Sequence, residues 1–195
     1  FLTALHERSR PPVILKLLGT LLASIWRLAR ALARGARAAV RIACNEFAYR
    51  CATGSRLTGR VVGVGDGDSL TVRLADRRRV RVRLAGIDAP ERKQAFGAAA
   101  HRSLIALAMG KSAHIRVVGV DEYGRILARV RCGDVDLSLA QAERGMAWTL
   151  SGKARDRQIA AAERQARRQR IGLWSAQDPL PPWVFRRKSR AWFRW

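Results

Sequence analysis

The sequence predicts an α+β chain: a five-stranded barrel of the OB type with about three helices, preceded by a long amphipathic basic helix. Three observations predict it. Strictly alternating apolar runs occupy the middle of the chain, and apolar positions at helical spacing with start and stop signals lie between and after them. Near the start, a basic stripe runs beside a Leu and Ile face. At 195 residues, 48% hydrophobic and 27% charged, the chain can bury one core of about 100 to 150 residues with extensions left over.

In chain order, residues 1–56 form the first extension. On a helical projection Lys16, Arg27, Arg30, Arg34, Arg37 and Arg41 share one side, and Leu17, Leu21, Ile25, Leu28 and Leu32 share another. No acid stands between Glu7 and Glu46, so the segment is similar to a mitochondrial transit peptide. The same pattern fits a helix lying on an anionic membrane surface or against a membrane-associated complex, with an inner mitochondrial membrane as the expected location. A secretory signal is disfavoured by Lys16 inside the apolar run Val13 to Trp26, and no run of 18 apolar residues marks an unambiguous transmembrane helix.

Residues 57–178 carry the expected barrel. Leu70, Val72 and Leu74 alternate, and Arg79-Val80-Arg81-Val82-Arg83-Leu84 alternates again. This is the period of strands with one buried face, so a hairpin is expected. A turn centred on Asp76 and Arg77 would pair residue i with a partner near 153 minus i. A second hairpin follows from the runs Ala113 to Val120 and Arg125 to Cys132 around Asp121-Glu122-Tyr123-Gly124. Phe96 to Met109 is Ala-rich, Leu137 to Met146 has helical periodicity, and Asp156 is placed to cap a helix reaching Arg170 before Gly172.

The tail, residues 179–195, interleaves Trp183, Phe185, Trp192, Phe193 and Trp195 with five cations and no acid. Three readings fit it: stacking on single-stranded bases, seating at a membrane interface, or packing on a protein neighbour. Across the chain 38 Lys and Arg face 15 Asp and Glu, a formal net charge of +23 that points to a polyanionic partner. The 33 arginines among them suit bidentate phosphate contacts or reflect a GC-rich genome. Cys44, Cys51 and Cys132 match neither a disulfide framework nor a zinc site.

Thirteen of the 15 acids lie between 57 and 178, and three of them gather at one rim of the expected barrel. The hairpin brings Asp68 within reach of Asp88, and Glu91 follows beyond Pro90, whose ring holds Ala89 extended. Three carboxylates in one place repel unless a cation neutralises them. A hard divalent ion with oxygen ligands, Ca²⁺ most naturally, resolves that conflict. Arg83 and Arg125 stand near the same rim, where guanidinium groups can meet a phosphate.

The blocks Asp66-Gly67-Asp68-Ser69, Val82 to Glu91, Asp121-Glu122-Tyr123-Gly124-Arg125 and Gly172-Leu173-Trp174-Ser175 together resemble the staphylococcal nuclease (thermonuclease) family, over about residues 57–178. The resemblance implies an OB-fold barrel and Ca²⁺-dependent hydrolysis of DNA and RNA phosphodiesters to 3′-phosphates. It implies Asp68, Asp88 and the carbonyl of Ala89 as metal ligands, Glu91 as general base, and Arg83 and Arg125 as the clamp on the scissile phosphate. Ala89 replaces a common Thr, which a carbonyl ligand tolerates. Residues 147–153 lack the tyrosines expected beside the nucleotide, leaving Trp148, with Tyr123 opposite, as substrate-binding aromatics. The competing expectation is a nuclease-like barrel serving as an accessory subunit of a mitochondrial membrane or ribonucleoprotein assembly.

Overall fold

The computed structural model describes residues 53–151 and 156–192. The basic helix expected in residues 1–50, with the membrane and mitochondrial readings that rest on it, lies outside the described residues, as do Cys44 and Cys51. The strands are β1 (Arg56–Val64), β2 (Ser69–Leu74), β3 (Arg79–Leu84), β4 (Ile87–Asp88), β5 (Ser112–Val120), β6 (Ile126–Cys132), β7 (Val135–Asp136) and β8 (Trp148–Thr149). The helices are α1 (Gly97–Ala108), α2 (Leu137–Glu143), α3 (Arg157–Arg168) and α4 (Pro182–Trp192), with a 3₁₀ turn over Gly172–Ser175.

Five strands close a barrel in the order β3-β2-β1-β5-β6, and a parallel pairing of Val82, Arg83 and Leu84 with Ile126, Leu127 and Ala128 seals it. Closure needs curvature. Register shifts between Val61 and Gly63 in β1 and between Val117 and Gly119 in β5 leave Val62 and Val118 as the extra residues that bend long strands around the barrel. Inward positions alternate as the sequence requires: Val61, Val72, Val82, Leu84, Ile115 and Ile126 are buried. Many outward positions are basic. Arg79, Arg73 and Arg60 stand opposite one another across β3, β2 and β1, and Arg56, Arg116 and Arg129 do so across β1, β5 and β6.

The first hairpin differs from expectation by one residue. Leu70 pairs with Val82 and Arg73 with Arg79, so the ladder is centred on Asp76 and Asp68 lies beside Leu84 rather than Ala85. The cause is a three-residue loop, not a two-residue one. Arg77 adopts a left-handed φ of 66°, and the Arg78 carbonyl accepts from the Leu74 amide. Asp76 steadies the loop by accepting from the Arg78 amide at 3.0 Å and from its guanidinium.

Helix α3 starts where expected. The Asp156 carboxylate accepts from the amides of Gln158 (2.8 Å) and Ile159 (3.3 Å), two donors the helix itself leaves unpaired. The tail adds a helix to the three expected in the barrel domain: α4, opened by Pro182, a residue suited to a first turn. A second apolar cluster of Trp148, Ala166, Leu173 and Trp174, with Phe96 against it, underpins the region where β8, α3 and the 3₁₀ turn meet. Cys132 is buried as a free thiol. No helix among the described residues is long and apolar enough to cross a membrane.

Candidate active site

The site is built on the loop between β1 and β2. Asp66 folds back on it, its Oδ1 accepting from Ser69 Oγ (2.6 Å) and from the Asp68 amide (3.2 Å). Burial pushes the Asp66 carboxyl up, but the hydrogen bonds from Ser69 and Asp68 outweigh it and leave the group below its ordinary value. Gly67 is required by packing. A Cβ there would lie 2.6 Å from the Ala89 methyl and 2.7 Å from the Ala100 methyl. The Gly67 carbonyl is held by Nε2 of Gln141 at 2.7 Å, and the same nitrogen reaches the Ala100 carbonyl at 3.1 Å. Gln141 Oε1 accepts from Ser103 Oγ at 2.6 Å, so this fully buried amide ties the loop to α1 and α2.

Asp68 and Asp88 are buried, at 1% and 2% exposure. Arg83, near the end of β3, bridges them: Nη1 donates to Asp68 Oδ1 at 2.9 Å and Nη2 to Asp88 Oδ1 at 2.7 Å. The Ala89 amide donates to the other Asp68 oxygen at 3.1 Å. Burial still pushes the Asp68 carboxyl well above the usual range; Arg83 pulls it back only in part, and Asp66 adds to the rise. Asp88 is set by β4, which pairs with β8 through Ile87–Thr149 and Asp88–Trp148. Glu91 stands half-buried on the following loop, which Gln94 closes by accepting from the Glu91 amide at 3.2 Å.

Arg186 of α4 completes the cluster, and nothing in the sequence placed it there. Its Nη2 donates to Asp88 Oδ2 at 2.7 Å, while Nη1 donates to Asp88 Oδ1 at 3.2 Å and to Glu91 Oε1 at 2.8 Å. These bonds push the guanidinium up, those to Asp88 most. The expected acids Asp68, Asp88 and Glu91 are thus brought together, with Arg83 among them. Arg125 is turned to its own loop: Nε donates to Asp121 Oδ2 at 2.6 Å, and its guanidinium lies 5.4 Å from the Tyr123 ring centre. Tyr123 is exposed. Trp148 is buried, its ring edge-on to Trp174 (5.2 Å) and Trp183 (6.4 Å), so it presents no open face, and Trp183 is the exposed member of the trio.

No group of three or more His, Cys, Asp or Glu side chains among the described residues forms a ready-made metal cage. Two carboxylates and a carbonyl, on Asp68, Asp88 and Ala89, nonetheless suit a hard divalent cation that retains water ligands. The charge balance agrees. Three carboxyl groups, those of Asp68, Asp88 and Glu91, meet two guanidinium groups, and Asp68, which burial pushes well up, is ion-paired among the described residues with Arg83. One further positive charge at Asp68 and Asp88 would relieve both.

A profile of the family described as staphylococcal nuclease homologue matches residues 81–176. The chain is 38% identical over 132 residues to an uncharacterised endonuclease of Escherichia coli, an alignment covering 67% of this chain and 86% of that protein. It is 41% identical over 143 residues to a micrococcal nuclease of Shigella flexneri, covering 68% and 82%. An uncharacterised endonuclease of Haemophilus influenzae is 36% identical over 133 residues, covering 68% and 75%.

Proposed function

The chain belongs to the staphylococcal nuclease family, and from that premise we propose that it is a Ca²⁺-dependent nuclease cleaving phosphodiester bonds of DNA or RNA at the Asp68–Asp88–Glu91 rim. One observation carries the reading: a single guanidinium, Arg83, forks across two buried carboxylates beside a half-exposed third. A surface salt bridge has no reason to bury acids in this way; a site that must concentrate charge on a phosphate does.

In this reading Asp68, Asp88 and the Ala89 carbonyl hold the cation, whose chemistry when bound is to offset charge on the phosphate oxygens. Arg83 is positioned to share that work, because its donors already point at the cluster. Arg125 joins when it releases Asp121, and its place on the β5–β6 turn beside exposed Tyr123 makes it the arm that meets an incoming backbone. Glu91, the most solvent-accessible of the three acids, takes the proton from the attacking water.

Purified protein should release product from single-stranded DNA or RNA in millimolar Ca²⁺ and fall silent in chelator. Equal rates in both, or none in either from a folded sample, refute the enzyme. Glu91→Gln should slow turnover with Ca²⁺ binding nearly intact, whereas Asp68→Ala should weaken Ca²⁺ binding itself; calorimetric titration separates the two.

For residues 1–50 the proposal is attachment to a membrane surface or membrane-associated complex, supported by the basic stripe beside the Leu and Ile face in the sequence. Flotation with cardiolipin-containing vesicles, comparing the full chain with one beginning at Thr53, tests it. Loss of the difference between the two at high salt would leave only a salt-screened contact.

A further inference from the structure

We propose that α4 is a built-in competitor of the divalent cation: Arg186 occupies Asp88 and Glu91 in the resting chain, and the site takes up its metal when the helix lifts. The proposal rests on the metal-site reading above. Its basis is the way Arg186 meets Asp88. Both carboxylate oxygens accept from this one guanidinium, at 2.7 and 3.2 Å, and the second Nη1 contact at 2.8 Å captures Glu91. A bidentate guanidinium uses the lone pairs a metal ligand must offer, so the two cations cannot hold Asp88 in the same way at once.

Arg186 is not a stray surface side chain. The helix is docked at two other points. The Leu180 carbonyl, just before α4, accepts from Nε2 of Gln94, which also closes the Glu91 loop. One helical turn before Arg186, Trp183 sets its ring edge-on against buried Trp148, and Trp148 is the cross-strand partner of Asp88. Arg186 therefore stands on the helix face that Trp183 anchors, directly over β4.

The same docking is made to be reversible. The Arg186 side chain is 37% exposed and Glu91 35%, so water reaches the outer half of the contact while Asp88 lies sealed beneath it. Trp183 keeps nearly half its surface in solvent. Past the buried Pro182 at its start, α4 keeps Trp183, Arg187 and Lys188 exposed and Val184, Phe185 and Arg186 only partly buried, and it follows the barrel in the chain rather than lying within it, so it opens more readily than a core element. Arg83 differs in each respect. It issues from a central strand, bridges Asp68 and Asp88 from within, and leaves one Asp88 oxygen to another partner. That remaining oxygen, Oδ2, is the one Arg186 holds at 2.7 Å.

The test uses the full chain with Ca²⁺ alone as the probe. Calorimetric titration of the parent, Arg186→Ala and Trp183→Ala should show Ca²⁺ binding about tenfold tighter or more in both variants, since each removes the competitor, directly or by loosening its anchor. Thermal melts confirm that the variants are folded. Hydrogen exchange over residues 180–189 of the parent should quicken when Ca²⁺ is added. Unchanged or weaker Ca²⁺ binding in both variants, or slower exchange on adding Ca²⁺, overturns the competition and makes Arg186 a fixed part of the site. Absence of Ca²⁺ binding in parent and variants alike overturns both this proposal and the metal-site reading beneath it.

Discussion

Replacing Gln141 by Leu keeps the side chain's bulk and removes its hydrogen bonds, which isolates what this buried amide contributes. Three partners are affected. Ala100 lies within α1, so its carbonyl keeps its place in the helical ladder, and half-buried Ser103 also receives Arg144 Nη1 at 3.4 Å and can turn to water. The buried Gly67 carbonyl loses its 2.7 Å side-chain donor, and burial leaves it no water in exchange. One such orphaned acceptor costs about 1–3 kcal/mol, which for a chain of this size lowers Tm by about 2–12 °C. Because Gly67 lies between Asp66 and Asp68, loosening its carbonyl also frees the loop that aims Asp68, and Ca²⁺ affinity should fall by about tenfold, as for other groups that orient a ligand. Differential scanning calorimetry and Ca²⁺ titration well below Tm read the two effects separately. A Tm equal to the parent's would refute the hydrogen-bond argument. A lowered Tm with unchanged Ca²⁺ affinity would reduce Gln141 to a core support with no role in aiming Asp68.

Gly67→Ala should cost about 1–3 kcal/mol through its clashes with Ala89 and Ala100, with thermal denaturation as the measure and a neutral effect as the refutation. Asp156→Ala removes the cap of α3 and should cost about 1 kcal/mol in urea unfolding. Burial pushes the Asp156 carboxyl up, but its bonds to the Ile159 amide, Arg129 and the Gln158 amide hold it below its usual value in the folded chain. A depressed carboxyl stabilises above its unfolded value of about 3.9 and loses that contribution as pH falls through the folded value, so parent and variant should converge in acid. A difference between them that persists well below pH 3 would contradict this assignment.

How much of this was legible in the sequence varied with the range of the interaction involved. The alternation in residues 79–84 and the spacing of Asp156 from the α3 apolar face act locally, so strands and cap followed directly. The β2–β3 register did not, because Arg77 adopts a left-handed turn conformation that a Gly or Asn would have advertised. The rim acids were visible because Asp68, Asp88 and Glu91 sit on one hairpin and its exit. Gln141 and Arg186 were invisible as site residues. A Gln on a short helix looks like a solvated surface position, and an Arg in a basic tail looks like one charge among many; only the fold brings them 74 and 98 residues back to Gly67 and Asp88. Trp148 looked like a free aromatic for the same reason, since Trp174 and Trp183, which enclose it, come later in the chain.

The facing arginines on the barrel exterior tie its folding to the ions around it. Arg60 lies directly across from Arg73 and Arg73 from Arg79, while Arg56 lies across from Arg116 and Arg116 from Arg129, which also pairs with Asp156. Each opposed pair of like charges destabilises the sheet by about 0.2–1 kcal/mol, and dissolved salt screens that repulsion over about 8–10 Å at ordinary ionic strength. Dilution therefore works in two directions on one surface: it weakens the free barrel and tightens its grip on any polyanion laid along an arginine row. An anion that pairs with an arginine row would therefore stabilise the fold as well as bind to it, and most strongly at low ionic strength.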